Sequence, residues 1–136
     1  MMTIAIPKTI LRAIEAHSRD EQPRECCGVL GGRGRQVLSR YPLRNQAPQP
    51  ERRFFAAPED LFAAMRQMRE AREEMLAIYH SHPRGPAEPS GSDIELAFYS
   101  EAIYLIAALD PQWEMRAFSI RGQAATEIAI EVIETD

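Results

Sequence analysis

Residues 102–109 (AIYLIAAL) form a continuous apolar run, and Asp110-Pro111 ends it with a turn. A strand with no polar alternation has no side to turn to water, so this run suits a central position in a sheet packed between other layers. The neighbouring segments can supply those layers. Residues 3–6 alternate as a short strand, and Pro7 opens a helix in which Ile6, Ile10 and Ile14 recur every four residues with Leu11 alongside. Residues 25–32 and 36–43 read as a hairpin across Gly32-Arg33-Gly34, with Pro42 pointing to an edge position.

Residues 45–53, rich in proline, glutamine and charge, form a loop of a length that is usually functional or mobile. Pro58, Glu59 and Asp60 start a second helix, continued by Leu61, Met65, Met68 and Arg72, in which the methionines read as core filler. Residues 75–82 read as a strand, residues 83–89 as a proline-constrained loop, and a further helix starts near Ser92. Beyond the central run, residues 113–120 and 126–133 are two more strands, with a turn at Gly122. The order β-α-β-β-α-β-α-β-β-β indicates an α+β fold, a mixed β-sheet flanked by helices, in a single domain over residues 1–136.

A chain of 136 residues buries enough surface to fold without a disulfide or a structural metal, so any metal is free to serve chemistry. Its 16 lysines and arginines against 20 acids give a net charge of −4, without the basic excess that nucleic acid binding requires. The short clusters Arg33/Arg35 and Arg52/Arg53 read as solvated loop charges. Residues 1–8 lack the basic-then-apolar pattern of a leader, and no stretch reaches 18 apolar residues, so no membrane partner and a cytoplasmic location are expected. Cys26 and Cys27 are adjacent and could staple no loop, which fits reduced thiols. Cys27 reads as a small buried side chain.

His80 and His82 are one residue apart, and the two-residue period of a strand puts both imidazoles on one face. Such a pair is also found as an ordinary polar pair. Asp93 follows beyond the proline-rich loop, in the first turn of the expected helix. Two histidines and one carboxylate leave a tetrahedral zinc with an open fourth position, the arrangement of catalytic zinc. Ser90-x-x-Asp93 is equally a helix-capping pattern. Because Ser92-x-x-Glu95 repeats that pattern, the expectation is that the second pair caps the helix and the first is left for the site. Taken alone, Glu25 reads as an exposed loop acid before a strand, and His17 as an exposed histidine near a helix C-terminus.

The string His80-Ser81-His82-Pro83, six residues, Ser90, two residues, Asp93 resembles the JAMM metalloprotease signature at every defined position. Glu25-Cys26-Cys27-Gly28-Val29-Leu30-Gly31-Gly32 resembles the family's segment that carries a glutamate, and residues 45–58 with Phe54 are similar to its short stand-alone prokaryotic members. The resemblance implies a JAB/MPN-type mixed sheet of cytidine-deaminase-like architecture, with one Zn2+ per chain held by His80, His82 and Asp93. It further implies Glu25 as general base and acid, and Ser90 as a donor to the tetrahedral intermediate. The implied activity is hydrolysis of a peptide or isopeptide bond after the C-terminal Gly-Gly of a ubiquitin-like or sulfur-carrier protein. The alternative is a non-catalytic MPN-type scaffold. A zinc deaminase would need H-x-E and P-C-x-x-C, which are missing, and a two-histidine iron oxygenase is disfavoured because no histidine follows His82.

Overall fold

The apolar run lies where its composition requires: strand β5 (Ile103–Ala108) is buried at every residue, between β4 (Glu74–His82) and β6 (Glu114–Arg121). The computed structural model describes residues 2–97, 99 and 101–134. Met1 of the expected leader-free N-terminus and the last two residues of the expected 1–136 domain lie outside them. The remaining elements are β1 (Thr3–Pro7), α1 (Lys8–Glu21), β2 (Cys27–Arg33), β3 (Gln36–Leu43), α2 (Pro58–Glu70), α3 (Gly91–Glu95) and β7 (Ala124–Ile133).

The strands follow the order β1-β3-β2-β4-β5-β6-β7, and β1 also pairs with β7, so the mixed sheet closes on itself. β4 and β5 are parallel, as are β1 with β3 and with β7; the other neighbours are antiparallel. Closure is weakest at β3, which meets β1 only at Ala5↔Gln36 and otherwise has a strand on one side alone, in keeping with Pro42. One core packs Ile10, Leu11 and Ile14 of α1 against Leu30, Ala77, Tyr79 and Leu105. The other sets Ala64 and Met68 of α2 against Val29, Ile78, Tyr104 and Ile106. Alternation along β4 therefore sends Tyr79 to the α1 side and Ile78 and His80 to the α2 side. Arg33, expected to be a free loop charge, instead donates to the carbonyls of Ala71 and Arg72 just past the end of α2.

Gly28 lies opposite Tyr79 in the β2–β4 ladder, and the tyrosine ring occupies the space a side chain there would fill. That ring is fully buried, with its hydroxyl held by His17 Nδ1 at 2.8 Å and by Arg40 Nη1 at 3.1 Å. It has no room to yield. Gly28→Ala is therefore expected to cost about 1–3 kcal/mol of stability through overpacking, read as a lowered urea midpoint with an unchanged slope. The same contact corrects the expectation for His17, which is half-buried against Tyr79 and not exposed.

Candidate metal centre

His80 and His82 end β4 on one face, with their side chains 1% and 11% exposed. The proline-rich loop after them turns back at once, and its Pro86 carbonyl accepts a hydrogen bond from His82 Nδ1 at 2.7 Å. Placing the proton on Nδ1 leaves the Nε2 lone pair free, as a metal-binding histidine requires. α3 then delivers Asp93. His80 Nε2 lies 3.1 Å from His82 Nε2, and Asp93 Oδ2 lies 3.2 and 3.0 Å from those two nitrogens. Three corners of a tetrahedron around zinc, with bonds of about 2.0–2.1 Å, are roughly 3.3 Å apart, so the three atoms already stand at nearly the required spacing. They are the one group of this kind found among the described residues.

The electrostatics follow from burial and from this crowding. His80 is pushed below its ordinary pKa by burial, which outweighs the pull of Asp93, so it sits neutral. Burial would raise the pKa of Asp93, but hydrogen bonds to the two histidines and from the Ser90 amide prevail and hold it well below the usual carboxylate range. For His82, too, burial acts downward but is outweighed by Asp93, the Pro86 carbonyl and Glu25, so its pKa rises. A neutral imidazole at His80 and an ionised carboxylate at Asp93, the forms that bind a cation, are thus in place.

Glu25 reaches the same place by register. Cys27 pairs with His80, and the Ser81 amide donates to the Cys26 carbonyl at 3.1 Å, which carries the antiparallel ladder one step on and sets Glu25 across from His82. Glu25 therefore shares the face of Cys27, His80 and His82. It is 4% exposed, and its Oε1 is buried with no hydrogen-bond partner among the described residues. Burial, reinforced by Asp93 and opposed by His82, raises its pKa to about 7. A carboxyl poised there exists in both forms near neutrality, as a group that takes a proton and returns it must. The exposed-acid alternative for Glu25 is thereby corrected.

Ser90 also joins the group, though by a different route from the one expected. It is Ser90, not Ser92, that caps α3: its Oγ accepts from the Asp93 amide at 3.1 Å, while Asp93 Oδ2 accepts from the Ser90 amide at 2.9 Å. Asp93 Oδ2 caps the helix and faces both imidazoles at once, so capping and ligation do not compete. The exposed Ser90 hydroxyl keeps its own proton free to donate. Sequence reasoning placed Phe54 and Asn45 in the family-like segment but gave neither a role at the site. Phe54 stacks on His80 with ring centroids 4.5 Å apart, and the buried Asn45 anchors the loop that carries Phe54. The Asn45 side chain accepts from the Ala47 amide, a turn that an asparagine ahead of a proline-rich stretch signals. From His80 and Asp93 an apolar groove of about 390 Å³ runs outward past Phe54, Phe62, Leu96 and Tyr99.

Comparison with known proteins places this geometry among related chains. Residues 7–121 match the family model described as prokaryotic homologs of the JAB domain. A Thermus thermophilus protein named "Probable TtuB-protein conjugate cleaving protease" is 36% identical over 133 residues, covering 97% of this chain and 84% of its own length. The "CysO-cysteine peptidase" of Mycobacterium tuberculosis is 35% identical over 135 residues, covering 96% and 92%. A Desulfitobacterium hafniense protein solved in solution superposes with a TM-score of 0.88 at 36% identity, covering 97% of this chain and 94% of that one.

Proposed function

The chain belongs to the prokaryotic homologs of the JAB domain, and on that premise we propose that it is a zinc-dependent peptidase or isopeptidase. Its substrate in this reading is a ubiquitin-like or sulfur-carrier protein, cut after the C-terminal Gly-Gly. The observation that carries the proposal is the unpartnered, buried carboxylate oxygen of Glu25 on the same strand-end face as His80, His82 and Asp93. A scaffold has no use for a buried acid held near neutrality beside three metal-capable atoms. The relatives' names, a conjugate-cleaving protease and a CysO-cysteine peptidase, support the same class of substrate. The reading takes residues 1–136 as one cytoplasmic domain; among the described residues no helix is long and apolar enough to cross a membrane.

His80, His82 and Asp93 would hold one zinc per chain. When bound, the metal would supply a water acidified far below its ordinary pKa, towards neutrality, and a Lewis acid for the substrate carbonyl. Glu25 stays off the metal, accepts the proton of the attacking water on its carboxylate, and returns it to the leaving amine. Ser90, fixed as the helix cap, donates its hydroxyl to the oxygen on which charge develops. The apolar groove takes the substrate tail in extended form, and the unpaired side of β3, ending at Leu43 opposite Cys27, offers a strand edge nearby. Glycines at the cut let the tail pass where side chains would clash with the crowded ligands.

Replacing both glycines by alanine in a cleavable carrier is expected to cut turnover far more than changing the residues released. Intact-mass time courses of the two substrate series measure this. Equal cleavage of the alanine version, or equally fast cleavage of unrelated unstructured peptides, would refute Gly-Gly selectivity while leaving the zinc chemistry standing.

A further inference from the structure

Glu25 precedes β2, whose first residue is Cys27, so its own backbone groups lie outside the sheet ladder. Its amide donates to the Pro50 carbonyl at 2.7 Å, and its carbonyl accepts from Asn45 Nδ2 at 2.9 Å. Both partners belong to the loop after β3. Since Oε1 has no hydrogen-bond partner among the described residues, these backbone contacts, with side-chain packing, decide where the carboxylate stands.

Asn45 is 4% exposed, and its amide uses its full bonding capacity. Nδ2 donates to the carbonyls of Glu25 and Arg53, each at 2.9 Å, and Oδ1 accepts from the amides of Ala47 at 2.9 Å and Phe55 at 3.0 Å. Arg53 and Phe55 flank Phe54, the ring stacked on His80. One buried amide thus ties the backbone of Glu25 to the backbone that presents an aromatic face to a metal-capable histidine, yet none of these hydrogen bonds goes to His80, His82 or Asp93.

We propose that Asn45 is a positioning residue that sets Glu25 relative to His80 and His82 by clamping its carbonyl to the Phe54 loop. This rests on the reading of Glu25 as the proton carrier. Catalytic groups must be held within about 0.5 Å, and a displacement of 1 Å costs on the order of a hundredfold in rate, so a partial loosening has a measurable effect.

The test is a double-mutant cycle. Asn45→Ala, read on a Gly-Gly-ended carrier with a short C-terminal extension, is expected to lower kcat about tenfold or more, with KM within about twofold and zinc content unchanged. In the Glu25→Gln background it should produce no further loss, because the group it positions is already disabled. Hydrogen exchange gives a readout independent of turnover: the Glu25, Ala47 and Phe55 amides should exchange faster, while the amides of β4 stay protected. Asn45→Asp keeps the volume and both acceptor bonds but loses the donors, so it should reproduce the effect if the alanine variant does not fold. An equal slowing in both backgrounds, unchanged exchange at Glu25, or failure of both variants to fold would overturn the positioning role. A wild-type protein that cuts no carrier would sink the peptidase reading instead, and the exchange measurements would then decide the clamp by themselves.

Discussion

Glu25→Gln is expected to keep its zinc and its fold and to lose roughly a hundredfold or more in rate, the usual contribution of a positioned general acid–base. Glutamine matches glutamate in shape, and at this site the carboxyl is buried, its Oε1 having no hydrogen-bond partner among the described residues that the exchange would break. The exchange even relieves the cost of burying a charge, so the thermal midpoint should not fall. What glutamine cannot do is accept a proton. Initial rates with zinc quantified in the same samples separate the outcomes. Wild-type activity would assign proton transfer to another group, and loss of zinc would make Glu25 a ligand.

The second large effect is on the metal. His82→Ala leaves two of three ligand atoms, and zinc affinity should fall by more than the roughly 10–100-fold that loss of an outer-sphere partner costs. His82 is the cleaner probe, since its side chain is 11% exposed. His80→Ala should lose zinc equally but also lower the midpoint, because His80 is buried and Phe54 stacks on it. Zinc per chain after dialysis, with thermal midpoints measured alongside, checks both. Full zinc retention by both variants would rule out this ligand set.

The element order was legible because periodicity is a local property: the apolar run of β5, the alternation of β1 and the four-residue recurrence in α1 each follow from nearby residues. The pairing of His80 with His82 was legible for the same reason, since strand geometry alone puts residues two apart on one face. Closure of the sheet through β1 and β7 joins the two ends of the chain, and no local pattern encodes that contact. The cap of α3 was misassigned because two overlapping patterns are equivalent in sequence. The structure resolves the choice through Asp93, whose Oδ2 accepts from the Ser90 amide and faces both imidazoles in the same arrangement. Glu25 reads as an exposed acid until β2 is laid against β4, and the Asn45 contacts with residues 25 and 53–55 depend on a loop fold that composition leaves open.

The most direct test is the intact mass of a ubiquitin-like carrier, extended beyond its Gly-Gly, after incubation with the zinc-loaded protein and with the same protein stripped by chelator. The account predicts one new mass, the carrier ending at Gly-Gly, formed with zinc, absent after stripping and restored when zinc is returned. Cleavage that persists without metal, or an intact carrier in the presence of protein carrying one zinc per chain, would contradict it.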